Sequence, residues 1–422
     1  MKKIVFSGSM LLVFFSIAYS YAQKENTFNR GKGLIEIIEK SLDQSTIQYK
    51  FLKSVTPEDR FPKTYEGREK GSVTSTAKNW TSGFYPGTLV YLYEYTKDKG
   101  LLNEADNKFT FLKSQKDNKN THDLGFMMYC SFGNAYRITK KEEYKDILVQ
   151  SAKSLASRYN SKVGSIQSWD RIKSLDGSKY WDFPVIIDNM MNLELLFFAS
   201  KVTGDESFKK IAVTHAETAM KNHVRPDYSS FHVVAYNPET GEINSRETYQ
   251  GFAHNSTWAR GQGWGIYGFT MVYRETGDKR FLKTAQGMAD FFLNHKNLPK
   301  DKIPYWDFDA GQPGVQPSFN YNAFKYSVIP RDASAGALVA SALIELSGYS
   351  DKEKKQKYLN AAEIMIKSLS SPVYTASVGE NGGFILKHSV GNLPKDREVD
   401  VPLSYADYYY VEAMLRYKNL GK

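Results

Sequence analysis

One cysteine, Cys130, is all that 422 residues contain, so no intramolecular disulfide can form and the fold has to be held by its apolar core. Cys130 stands in an apolar helical pattern and is expected in that core. Long apolar runs are also lacking. Beyond residue 22 no stretch is long enough to cross a bilayer, which argues against membrane insertion. The seven histidines show neither His-x-His nor His-Glu-x-x-His spacing, so no metal is expected. No Gly-rich loop follows a strand, so no nucleotide or other cofactor is expected either. The formal charge is +10, but the lysines are scattered among acids and form no dense basic tract, which sets nucleic acid aside as a partner.

Residues 1–22 read as a signal peptide. Lys2 and Lys3 make a positive start, Met10 to Ala18 a short apolar core, and Ser20-Tyr21-Ala22 a small-x-small cleavage site. No cysteine follows to accept a lipid. The mature chain, 23–422, is therefore expected to be exported, with the periplasm the best fit and secretion the alternative. Without Lys2 and Lys3 its charge falls from +10 to +8, which still favours anionic partners. An aromatic content of 14%, including 29 Tyr and 6 Trp, points to an anionic carbohydrate, because sugar faces stack on rings.

Between those limits the chain repeats one unit. A Gly-rich or polar loop leads into a strongly apolar helix, a turn follows, and an amphipathic helix comes next. The apolar helices are expected at Thr88–Tyr95, Phe126–Tyr136, Met190–Ser200, Gly265–Arg274, Ala335–Leu346 and Tyr408–Leu415. Their amphipathic companions are expected at Leu34–Leu52, Leu101–Leu112, Tyr144–Tyr159, Phe208–His223, Phe281–His295 and Tyr358–Leu369. In Thr203-Gly204-Asp205 and Thr276-Gly277-Asp278, Gly takes the left-handed position and Asp starts the next helix. An apolar helix needs contact all round and an amphipathic one covers it from outside. Six such pairs close into a single all-α domain, an (α/α)6 toroid; an open solenoid is the alternative. Two stretches break the rhythm. Ser165–Asp182 reads as short strands or an ordered loop, and Phe231–Tyr236 with Ile243–Gln250 reads as an inserted β-hairpin.

Closing the ring gathers six polar loops on one rim. Asp188 is a lone carboxylate at the mouth of an apolar helix, where it has to cap the helix or do chemistry. Asp123, in His122-Asp123-Leu124-Gly125, is a second carboxylate on that rim. An apolar setting and a neighbouring carboxylate both raise a carboxyl pKa toward the range a neutral-pH acid needs. Arg260 suits a carboxylated sugar, Trp80, Trp169 and Trp264 offer stacking faces, and His232 and Gln250 offer hydrogen bonds near the two ends of the hairpin. His254 shares the Arg260 loop, and Asp332 and Asp407 read as caps.

The motifs Trp80-Thr81-Ser82-Gly83-Phe84-Tyr85-Pro86-Gly87, His122–Phe126, Asp188-Asn189-Met190-Met191-Asn192, Trp258–Gly265, Arg331–Ala335 and Asp400–Tyr409 resemble the unsaturated glucuronyl hydrolases, family 88 of the glycoside hydrolases. The resemblance covers most of the mature chain. It implies an (α/α)6 barrel acting on the terminal 4,5-unsaturated uronic acid that polysaccharide lyases leave, of glycosaminoglycan or ulvan type. The reaction it implies is hydration of the C4=C5 enol ether. Asp188 takes the place of the acid/base, Asp123 that of the assisting carboxylate, and Trp80, Trp169, His232, Gln250, Arg260 and Trp264 those of the substrate-binding residues. Sulfate selection in the family uses a late loop, here 387–392, whose alignment is open; parent polymer and oligomeric state are open too. An unsaturated rhamnogalacturonyl hydrolase is the nearest alternative, an α/α-toroid polysaccharide lyase with a Tyr/His base a more distant one. A non-catalytic sugar-binding protein is the alternative of another kind.

Overall fold

A computed structural model describes residues 32–67 and 71–420; the leader read at 1–22 lies outside them. The twelve expected helices are all present. In chain order they are α1 (Lys32–Val55), α2 (Phe84–Thr96), α3 (Lys99–Leu112), α4 (Gly125–Gly133 continuing as Asn134–Thr139) and α5 (Glu142–Ala156). Next come α6 (Leu193–Thr203), α7 (Glu206–Asn222), α8 (Ala259–Thr276) and α9 (Lys279–Asn294). The last three are α10 (Ala333–Ser347), α11 (Lys352–Leu369) and α12 (Ser404–Lys418). The even-numbered helices carry the apolar sequences, and α8, α10 and α12 are buried nearly along their whole length. They pack in order around a ring that closes where α12 meets α2, which makes the architecture an (α/α)6 barrel rather than a solenoid. The odd-numbered helices bury one face on that ring and leave the other to solvent.

Local chemistry sets the connections. Gly204 and Gly277 take left-handed backbone after α6 and α8, with φ of 77° and 69°. Asp205 and Asp278 then accept hydrogen bonds from Ser207 N and Arg280 N to start the next helix. Each inner helix follows its outer companion back across the molecule, so all six inner helices run the same way and present their N-termini at one rim.

β-structure is confined to short ladders between helices, the first of them β1 (Phe61–Tyr65) with β2 (Ser72–Ser75). The expected hairpin is there as β4 (Val233–Tyr236) and β5 (Ile243–Glu247). It gains a third strand that the sequence did not announce, β3 (Phe183–Ile186), antiparallel to β4 with Val185 opposite Val234. Phe183 and Val185 pack on one face and Ile186 on the other. Both faces of β3 are thus covered, and the polar alternation that marks a half-buried strand is missing. The strand delivers the chain straight into a 3-10 turn, Ile187–Asn192, ahead of α6, so the regular helix begins three residues later than its apolar pattern suggested. The late loop forms a second hairpin, β6 (Ser389–Asn392) with β7 (Arg397–Val401). Cys130 is half-buried at the wall of a cavity rather than enclosed in the core.

The first nine residues of α4, Gly125–Gly133, form a π-helix, a wider coil that holds more residues per turn. Gly125 opens it against the 3-10 turn that follows β3. A Cβ at that position would lie 2.4 Å from Asn192 Cα, and Asn192 Oδ1 accepts a hydrogen bond from Phe126 N at 3.0 Å. Only glycine allows this approach, which ties the Asp123 loop to the Asp188 turn. Gly125→Ala should therefore destabilise the protein by about 1–3 kcal/mol through overpacking and lower activity with it; thermal denaturation and a turnover assay on the same preparation check both.

Candidate active site

Asp188 sits in the 3-10 turn after β3. It caps nothing: the N-cap position is Ile186, without a side-chain hydrogen bond. Asp188 is 8% exposed and Oδ2 has no hydrogen-bond partner. Burial pushes its pKa up to about 7; the Arg260 charge opposes that shift and the Asp123 charge adds to it. Asp123 is therefore an electrostatic neighbour, although it comes from another loop. Its Oδ2 accepts from Thr121 Oγ1 at 2.9 Å, and its Oδ1 lies 3.2 Å from His122 Nε2.

Two other buried aspartates show what a structural carboxyl looks like here. Burial raises Asp307 to about 6 and Asp407 to about 7. Asp307 is bonded by Phe252 N, Asp309 N and Ser256 Oγ. Asp407 receives Ile385 N, Leu386 N and the Tyr49 hydroxyl. It pins a loop and does not cap its own helix, as the sequence had suggested. Asp332 does cap, holding Ser334 N at 3.0 Å. Of the three raised aspartates only Asp188 keeps an oxygen without a partner. A buried polar atom left unpaired costs free energy, and a ligand that supplies the bond recovers it.

His232 faces that oxygen. Its Nδ1 accepts from Tyr249 N at 3.0 Å and Gln250 N at 3.3 Å, so the proton is on Nε2. Burial holds its pKa well below the usual histidine value, and the ring is neutral. Nε2 has no hydrogen-bond partner and lies 3.8 Å from Asp188 Oδ2. That gap is too long for a hydrogen bond, yet one oxygen atom seated beside both would bond to each. Trp264 completes the setting. Its ring is 1% exposed, packed on Phe126 and Tyr409, and its N–H favours the ionised form of Asp188 without reaching hydrogen-bond geometry.

Beside these groups the rim opens into a cavity of about 470 Å³. Trp80, Trp169 and Gln250 line it, joined by Tyr249, Tyr405 and Asn392. Trp169 is half-buried with its ring edge toward His232 at 6.2 Å, and Trp80 packs on Tyr405 at 5.0 Å. Three cations, Lys63, Arg171 and Arg397, and two carboxylates, Asp170 and Glu398, also reach the wall, with Lys63 paired to Glu398. Tyr249 and Tyr405 were not singled out from sequence, although each adjoins a residue or loop that was. Lys63, Arg171 and Arg397 lie far apart along the chain and carried no local signal.

Arg260 and Gln250 are placed differently from the other expected contacts. Arg260 is 1% exposed, and its Nη1 donates to Asp332 Oδ2 at 3.0 Å and to the Val390 carbonyl, its Nη2 to the Gly391 carbonyl at 2.8 Å. Gln250 Nε2 donates to the same Gly391 carbonyl at 3.0 Å. Both hold β6 to the rim while Trp258 packs across the guanidinium at 4.6 Å. His254 is half-buried, with Nδ1 accepting from Thr248 N and Nε2 3.8 Å from Glu247. Among the described residues no His, Cys, Asp and Glu cluster has the arrangement of a metal site.

The helix ring, a buried carboxyl with a half-buried second one as its electrostatic neighbour, and the aromatic-walled cavity define a carbohydrate-active hydrolase of the (α/α)6 kind. The family model for Glycosyl Hydrolase Family 88 matches residues 54–281, and the chain belongs to that family and is a glycosidase. It is similar to an unsaturated glucuronyl hydrolase of Formosa agariphila, 47% identical over 345 residues that cover 82% of this chain and 81% of that protein. It also matches the crystal structure of an unsaturated glucuronyl hydrolase specific for heparin, with a TM-score of 0.82 at 45% identity, covering 91% of this chain and 98% of that one. A Streptococcus agalactiae unsaturated glucuronyl hydrolase, solved as an aspartate-to-asparagine variant with dGlcA-GalNAc6S, matches with a TM-score of 0.74 at 30% identity, covering 91% and 92%.

The Arg260 contacts generate a test. Arg260→Met leaves the Asp332 carboxylate buried without its counter-charge and should cost about 3–5 kcal/mol in denaturant unfolding. Arg260→Lys keeps the charge without the fork and should fall between the two. In both variants the amides of 389–392 should exchange faster with deuterium.

Proposed function

We propose that the protein removes the terminal 4,5-unsaturated uronic acid from lyase-generated oligosaccharides, with Asp188 as the acid/base. The observation that carries this reading is the unpaired Asp188 oxygen, on a carboxyl whose pKa burial raises to about 7. Near neutral pH such a group is present in both protonation states, which general acid–base catalysis needs. Protonated Asp188 delivers its proton to C4 of the enol ether, and positive charge develops at C5 and the ring oxygen. Asp123 stabilises that charge. Water adds at C5 and returns a proton to Asp188. The hemiketal so formed opens at the bond between C5 and the ring oxygen, and the hemiacetal left at C1 releases the next sugar as an alcohol and the uronic acid as a keto-aldehyde.

The remaining expected residues take roles that follow from their placement. Trp80 and Trp169 supply stacking faces, and the neutral His232 N–H binds an oxygen shared with Asp188. Trp264 acts on Asp188 from below rather than on a sugar face. Arg260 and Gln250 act by holding β6 in place, with Arg260 also drawing down the Asp188 pKa. Lys63, Arg171 and Arg397 outnumber Asp170 and Glu398 on the cavity wall, and this small positive excess favours a uronate or sulfated sugar. We assign the substrate to the glycosaminoglycan class on the heparin-specific and GalNAc6S-bound neighbours. The sequence 1–22 supports export to the periplasm as the place of action.

The conjugated C4=C5 bond absorbs in the short ultraviolet, and hydration removes it. Unsaturated disaccharides from heparin, chondroitin, ulvan and rhamnogalacturonan lyases should be distinguished by which ones lose absorbance. Loss with none of them would leave a binding protein as the better reading. Asp188→Asn should lower turnover by about 10²–10⁴-fold while substrate still binds, and wild-type kcat should fall as pH rises through about 7. Stability moves with it. The folded chain holds the Asp188 proton more tightly than the unfolded chain, so this carboxyl subtracts stability as pH rises from its ordinary value of 3.8 to about 7. Each unit of separation is worth about 1.4 kcal/mol. Asp188→Asn should therefore unfold at a higher temperature than wild type at pH 8, and the difference should vanish near pH 3.

A further inference from the structure

Asp170 puts a carboxylate on the wall of a cavity that takes an anionic sugar. Its Oδ1 accepts from Arg158 Nη2 at 3.0 Å, and its side chain is 70% exposed whereas that of Arg158 is 6% exposed. An ion pair with one partner in solvent adds little stability. A negative charge facing the substrate opposes binding. Neither effect explains the pair, so its use lies in what it holds.

Arg158 stands just beyond the end of α5 and joins separate stretches of chain. Its Nε donates to the Gln167 carbonyl at 2.9 Å and its Nη1 to the Lys119 carbonyl at 2.6 Å. A planar guanidinium fixes the directions of all three bonds at once. Each bond leads into the site. Lys119 belongs to the loop that carries Asp123, while Gln167 and Asp170 flank Ser168 and Trp169. Gln167 N donates back to the Arg158 carbonyl at 3.0 Å. Ser168 is fastened to β3, with its N donating to the Pro184 carbonyl at 2.9 Å and its Oγ accepting from Ile186 N at 3.0 Å. Trp169 follows, its ring against Tyr249 at 5.1 Å and His232 at 6.2 Å. Asp170 then reaches back to the guanidinium that already holds Gln167. Trp169 is thus bracketed by two bonds to one rigid group, and a third bond from that group goes to the Asp123 loop.

We propose that Arg158 and Asp170 are positioning residues, which fix the Trp169 ring relative to the Asp123 loop and so set the width of the slot that the sugar enters. The inference rests on the reaction proposed above and adds to it the residues that act through Trp169. It also accounts for a carboxylate on this wall, because the acceptor that closes the bracket has to stand beside the ring it places.

The two roles open to Asp170 have opposite signs. If it acted through its charge, removing it would strengthen binding of an anionic sugar and lower KM. If it holds Trp169, removing it loosens a ring contact made to the bound sugar and raises KM with little change in kcat.

Loss of ultraviolet absorbance from a lyase disaccharide that wild type consumes is the measurement. Asp170→Ala should raise KM about tenfold, the scale of one lost ring contact, with kcat nearly kept. Asp170→Asn leaves an oxygen for Arg158 Nη2 and should recover most of that loss. Beside Trp169→Ala, the Asp170→Ala change should add nothing, because the ring it places is gone. The exposed Asp170 side chain makes each variant one that should fold, and thermal unfolding checks it. A KM that stays level or falls in Asp170→Ala overturns the proposal. So does a rise that persists in full beside Trp169→Ala, or an Asn variant no better than the Ala variant. Those results leave the reaction itself standing, whereas a wild type that bleaches no lyase disaccharide overturns the reaction and this inference together.

Discussion

Six helices too apolar to face water impose nearly everything else on this molecule. They can be covered only by one another and by an outer layer, and the outer layer returns the chain to the same rim before each inner helix begins. The result is a ring in which loops from positions as distant as 80 and 405 become neighbours. No pair of these loops is joined by a disulfide or a metal among the described residues. Side-chain and backbone contacts such as Asn192 to Phe126 N and Arg260 to β6 do that work.

Among the three buried aspartates whose pKa burial raises, Asp188 is the exception. Asp307 and Asp407 are buried as deeply, and the chain surrounds each with donors. Around Asp188 it places an imidazole N–H just out of reach, an indole N–H out of line and a second carboxylate. The folded state bears the cost of an incompletely bonded carboxyl at this position.

Architecture was legible from sequence because the helical period survives along every inner and outer helix, and because Gly204-Asp205 and Gly277-Asp278 mark turns with little ambiguity. Strand β3 was not legible: buried on both faces, it has no alternation to read. Asp188 and Asp123 stood out as carboxylates at apolar mouths, and His232 and Trp169 as polar and aromatic residues near the rim. What residue type cannot convey is direction. Arg260 looks like a carboxylate binder until Asp332 and the Val390 and Gly391 carbonyls, 72 or more residues away, are seen to occupy its fork. Trp264 likewise reads as a stacking face until Phe126 and Tyr409 are seen to cover it.

The wide coil at the start of α4 has a bearing on how this barrel can change. Its surplus residue is absorbed within Gly125–Gly133, so the angular phase of Asn134–Thr139 is set separately from that of the Asp123 loop. Substitutions that retune one mouth of the barrel need not rotate side chains at the other. A single helix can in this way belong to two surfaces that diverge at different rates.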